Sequence, residues 1–234
     1  MARSFQKSLP SPVPGESPVN PVPPVVLALV LVIAAIEAVV SLGGQGLVGG
    51  PGAVGWRVGL IERFAVSPAV LDYAAQGQAG LWTRFVTYAF VHGSVTHALF
   101  AGAMLLALGK FVGEGMGQAR TLAVFAVATV MGGLLFALTA GERQPLYGAY
   151  PGIYGLIGAF TYLLWLKLGR AGENRLQAFR MIGVLMGFQL AFSVIFGANP
   201  QWIGDVGGFL AGGAAAVLAA PGGFAALKER LRAR

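Results

Sequence analysis

Few side chains in this sequence can react or hold a metal, and they fall in a small number of places. His92 and His97 are its two histidines, and Ser94 lies between them. A histidine beside a serine is the pairing that activates a hydroxyl nucleophile. Ser94 also stands just before an apolar run and so reads equally as the N-cap that opens a helix. Ser193 sits inside another apolar run with no histidine on the same segment, which suits an interhelical hydrogen bond. Glu37 and Asp205 are carboxylates in apolar surroundings. Together with the histidines they offer ligands for a divalent cation, but His92 and His97 are five residues apart, a spacing that does not put both rings on one helical face. Cysteine is absent, which excludes disulfides, thiolate metal sites and a cysteine nucleophile. No glycine-rich phosphate loop follows a strand, and no cofactor is expected.

The elements that must position these groups are membrane spans. Apolar residues make up 56% of the 234-residue chain, charged residues 11%, and glycines number 36. With a mean hydropathy of +0.72, this composition belongs in a bilayer rather than in water. The net charge of +7 would suggest nucleic acid in a soluble protein. Here the cations flank apolar runs, so they report membrane orientation and no nucleic-acid partner is expected.

Residues 1–24 are proline- and serine-rich and predict a disordered tail. The first span is expected over Val25–Leu42, long enough for ~30 Å of hydrocarbon. Glu37 lies within it and must face protein or snorkel near the outer end. The loop Gly43–Leu81 is too apolar for a free linker. Its Trp56–Phe64 stretch suits a short interfacial helix, and Pro68–Ala75 a second. Further spans are expected over Gly93–Val112, Thr121–Ala140, Gly148–Leu166, Ala178–Phe196 and Trp202–Ala219, followed by a basic tail over 221–234. The fourth span opens with GAYPGIYGLIGA, whose glycines at three- and four-residue intervals allow close helix approach and whose Pro151 fits a first helical turn. With six spans, twelve cations fall on the side of the termini and four (Arg57, Arg63, Arg84, Arg143) on the other. That imbalance places both termini in the cytoplasm, and the expected location is a bacterial inner membrane.

Three segments together resemble the rhomboid family of intramembrane serine proteases. They are TRFVTYAFVHGSVTHALF (Thr83–Phe100), GAYPGIYGLIGA, which is similar to the family's GASGAIFGLLGA, and DVGGFLAGG (Asp205–Gly213), which is similar to H-x-G-G-F-x-A-G. The resemblance extends over roughly Val25–Ala220 and implies an all-α polytopic membrane protein with a six-helix core and an interfacial first loop.

It also implies a site. A rhomboid cuts with a serine at the head of the fourth helix and a histidine base on the sixth, while a histidine and an asparagine on the second help hold the oxyanion. Carried onto this sequence, the serine position is Tyr150, the glycine after it Pro151, the base Asp205 and the asparagine Ala101. His97 matches the helix-facing histidine, and only the His92/His97 pair is retained. No serine or threonine lies between Gly141 and Phe160. Pro151 has no N–H to offer an oxyanion. The expected function is therefore an inactive homologue that binds lipid and the transmembrane segments of client proteins. The alternatives are a working protease with an unorthodox residue set and a structural subunit of a membrane complex. A hydrogen bond from Tyr150 to Asp205 is expected to fill the vacated site.

Overall fold

The computed structural model describes residues 22–141, 144–196 and 200–219, with 189–196 described by backbone alone. Most of the expected N-terminal tail and the basic C-terminal tail lie outside those residues.

The first helix, α1 (Pro24–Gly44), starts on a proline, whose missing N–H is harmless in a first turn. The loop after it carries α2 (Trp56–Phe64) and α3 (Pro68–Ala75), both at their expected bounds, and α3 is capped by the Ser67 hydroxyl. A one-turn helix α4 (Arg84–Thr87) and a 3-10 turn (Tyr88–Phe90) lead into the long α5 (Val95–Met116). Then follow α6 (Gln118–Thr139), α7 (Tyr150–Arg170), α8 (Arg180–Phe196) and α9 (Trp202–Ala219).

Among the described residues α1, α5, α6, α7 and α9 are long and apolar enough to cross a bilayer. The span expected over Ala178–Phe196 corresponds to the 17-residue α8, which follows a 3-10 turn over Arg175–Phe179 capped by the Asn174 side chain. Arg180 marks the start of α8, and a charged residue there keeps the preceding turn at the membrane face.

Burial identifies α7 as the central helix. Over their apolar windows α7 is 56% buried and α1 only 17%, so α7 is walled by protein and α1 by lipid. It packs most extensively on α9 and α6, then on α5. Glycine makes this possible. A methyl group added at Gly208 of α9 would collide with the Pro151 carbonyl of α7, and one at Gly132 of α6 would lie 2.6 Å from the Gly204 carbonyl of α9. In lipid, where apolar surface gains nothing by leaving the solvent, such close backbone contact is the main source of helix association.

Candidate functional site

The candidate residues gather at the head of α7, where three approaching segments are fastened together. The strand-like approach to α7 pairs with the first loop through a single β-bridge, Val66 to Leu146, with N···O distances of 3.0 and 2.8 Å. Two residues on, the Gly148 N–H donates to the Tyr88 carbonyl at 2.9 Å. From the residue before α9, the Gln201 side-chain amide donates to the Pro145 carbonyl at 3.0 Å. Gly148 takes φ +99°, and a Cβ there would lie 2.9 Å from the His97 ring. Both the backbone conformation and the close approach require glycine.

The two histidines sit against this frame. Ser94 caps α5, its hydroxyl accepting from the His97 N–H at 3.1 Å, the N-cap contact its position suggested. His97, in the first turn of α5, accepts at Nδ1 from the Gly93 N–H at 3.3 Å, which assigns the proton to Nε2. His92 is buried in the loop before α5 and accepts at Nε2 from the Ala149 N–H at 3.4 Å. Its Nδ1 then carries the proton and has no hydrogen-bond partner. The rings meet edge to face with centroids 5.0 Å apart. Burial above all, and then the nearby His97, lower the His92 pKa to about 4, so this imidazole is neutral at pH 7.

Tyr150 lies where the resemblance puts a serine, and its partner is His97. The two rings stack with centroids 5.1 Å apart and planes inclined by 18°, while Tyr147 approaches the other way at 6.1 Å. The expected hydrogen bond from Tyr150 to Asp205 is not among the hydrogen bonds of the described residues. The reason is geometric: Tyr150 turns toward α5. The joint between α7 and α9 is closed instead by the backbone contact of Pro151 with Gly208. Asp205 is buried in the first turn of α9, within electrostatic reach of the Tyr88, Tyr150 and Tyr154 phenols. Tyr88 is fully buried and donates to the Thr129 carbonyl at 2.7 Å. Burial first, and the Asp205 carboxylate second, push its pKa well above the ordinary value. Ala101, fully buried, lies one turn beyond His97 and offers no polar group.

This arrangement can orient imidazoles and phenols. Among the described residues no serine or threonine hydroxyl hydrogen-bonds to either imidazole ring. Of the amides at the head of α7, Ala149 is taken by His92, and Pro151 has no N–H. Among the described residues no group of three or more His, Asp or Glu comes together as a metal site.

One contributor was not singled out by sequence. Arg57 of α2 reaches Glu37 of α1 through two hydrogen bonds, 2.6 and 3.0 Å, and donates a third, 2.8 Å, to the His92 carbonyl. Ser41 joins them, donating to Glu37 at 2.8 Å. The hydrogen bonds to Glu37 raise the Arg57 pKa above its already high ordinary value. Glu37 therefore faces protein, and the first loop is clamped onto the histidine segment. The signal was available: a carboxylate within a span needs a cation or donor nearby.

Comparison with known proteins agrees with this architecture. The sequence profile described as Rhomboid domain matches residues 79–222, from the histidine segment through α9. The chain is 26% identical over 134 residues to "Putative rhomboid protease YdcA" of Bacillus subtilis, covering 56% of this chain and 66% of that protein. It is also 26% identical over 138 residues to "Rhomboid-like protease 3" of Toxoplasma gondii, covering 56% of this chain and 49% of that one. The chain thus spans just under two thirds of the first relative and about half of the second. With the profile matching more than half of its length across the helices that build the site, this integral multi-pass membrane protein belongs to the rhomboid family.

Proposed function

We propose that this rhomboid is proteolytically inactive and binds transmembrane segments of client proteins without cutting them. The observation that carries the reading is the Tyr150 ring stacked on His97 at the head of α7, where the family resemblance implies a serine. Peptide cleavage needs a nucleophile and donors for the oxyanion, and losing one such donor alone costs ~10²–10³ in rate. With Tyr150, Pro151, Ala101 and Asp205 at the reacting positions, no route to an acyl intermediate is evident. We also place the protein in a bacterial inner membrane with six crossings and both termini cytoplasmic, on the strength of the twelve-to-four cation imbalance.

Both relatives carry the word protease in their names. That favours a second reading, an intramembrane peptidase with an unorthodox residue set. Proteoliposomes containing a photocrosslinkable transmembrane peptide separate the two. The expected result is a crosslinked adduct, no cleavage, and no labelling by a serine-directed fluorophosphonate. Cleavage, or labelling that disappears in Ser94→Ala or Ser193→Ala, would establish the peptidase. The orientation is tested with single cysteines at Ser4 and Gly80. An impermeant thiol reagent on intact cells should reach Gly80 and spare Ser4, and the reverse pattern would refute it.

A further inference from the structure

We propose that the groove between α7 and α9, at the end where α7 leaves the membrane, binds one anionic phospholipid. Arg175 holds its phosphate, and an acyl chain lies along the groove. The groove has a volume of about 310 Å³ and is lined by Thr161, Trp165, Phe179, Phe209, Gly213 and Val217, among others. Its rim residues Leu210 and Ala214 are exposed, so it opens toward lipid.

Its walls are apolar, but its mouth is cationic. The Arg175 guanidinium lies 5.8 Å from the centre of the Trp165 ring, and Phe179 meets the same ring edge-on at 5.7 Å. Gly169 makes this possible, since a Cβ there would lie 2.6 Å from an Arg175 terminal nitrogen. Arg175 is exposed and has no ion-pair partner among the described residues. Lys167, Arg170 and Arg180 lie within eight residues of it in sequence and are exposed, with Glu173 the acidic residue among them. A planar guanidinium fixed at the edge of an apolar channel suits a phosphate that carries hydrocarbon. A neutral helix docking there would leave that charge unanswered. Basic pockets between spans at the cytoplasmic face are the usual form of such lipid sites.

A second observation lies deeper in the groove. Thr161 is buried one turn below Trp165, and its hydroxyl has no hydrogen-bond partner. Thr161 lines the groove, and helical threonine divides between two χ1 rotamers, which gives its hydroxyl a second direction to point. An ester carbonyl of a lipid held by its phosphate would supply the missing acceptor there.

The test is native mass spectrometry of the full chain in mild detergent, incubated with phosphatidylglycerol or phosphatidylcholine. Phosphatidylglycerol should be retained about fivefold better, the factor one cation contributes toward an anionic lipid. Arg175→Gln should erase the preference, whereas Arg170→Gln and Arg180→Gln should leave it. Ala214→Phe, at an exposed rim position, should block retention of both lipids without shifting the thermal unfolding midpoint. Equal retention of the two lipids would overturn the proposal. So would an equal loss in all three arginine variants, which would indicate diffuse surface charge. Displacement by inorganic phosphate alone would show a phosphate site rather than a lipid site. Unchanged retention in Ala214→Phe would leave the groove to another occupant, such as a partner helix.

Discussion

Replacing Arg57 with alanine tests whether the first loop is clamped to the site or merely lies beside it. The substitution removes both hydrogen bonds to Glu37 and the one to the His92 carbonyl. It leaves a carboxylate whose side chain is 12% exposed facing only the Ser41 hydroxyl. Removing one partner of a fully buried pair costs ~3–5 kcal/mol, because the other charge is stranded. Neutral interhelical hydrogen bonds in membranes average only ~0.6 kcal/mol. The Arg57 side chain is 24% exposed, so water reaches part of the pair and the cost falls somewhat below the fully buried range. The expected cost of Arg57→Ala is therefore about 2–3 kcal/mol. Glu37→Gln keeps an oxygen acceptor and should cost about half as much. Because the Arg57/Glu37 double variant strands no charge, a double-mutant cycle with Glu37→Ala should give a coupling of about 1–2 kcal/mol. Reversible unfolding in mixed detergent micelles measures all of these. A cost below ~0.5 kcal/mol for Arg57→Ala, the level of an exposed ion pair, would refute the clamp.

Three further outcomes are expected. His92 is held neutral, with a folded-state pKa of about 4 against 6.5 unfolded. The unfolded chain therefore binds the extra proton as the pH falls between those values. Stability should be full above pH ~6.5 and drop by up to about 3 kcal/mol toward pH ~4. His92→Gln should flatten that part of the profile, and a slope that persists in the variant would assign it elsewhere. Gly208→Ala should destabilise by about 1–3 kcal/mol, since the added methyl meets the Pro151 backbone, which cannot move aside as a side chain would. An unchanged unfolding midpoint would show that α7 and α9 are not in close contact. Tyr150→Phe should be neutral to within ~0.5 kcal/mol and additive with Asp205→Asn, whereas Tyr150→Ala loses the stack on His97 and about 0.5–1.5 kcal/mol with it. Coupling between Tyr150→Phe and Asp205→Asn would restore the hydrogen bond that the ring stack replaces.

Sequence alone determined the architecture because hydropathy and punctuation are local properties. Apolar runs located the spans, the second loop helix was expected from Pro68, and Ser94 capped α5 as its position before an apolar run suggests. The family pattern likewise singles out Tyr150, Asp205, Ala101, His92 and His97 from sequence, because motif spacing survives substitution of the residues within it. Which of these residues meet was another matter. His97 and Tyr150 are 53 positions apart, and Arg57 and Glu37 are 20 apart on separate helices. No periodicity within one helix reports the rotation of its neighbour. Tertiary structure decided that Glu37 turns to Arg57 and Tyr150 to His97, and that α7 and α9 meet backbone to backbone at Gly208. The physical reason is that, in lipid, helix rotation is set by where backbones can approach most closely. Here the glycines of α6, α7 and α9 permit that approach, and the polar side chains pair within the geometry it leaves.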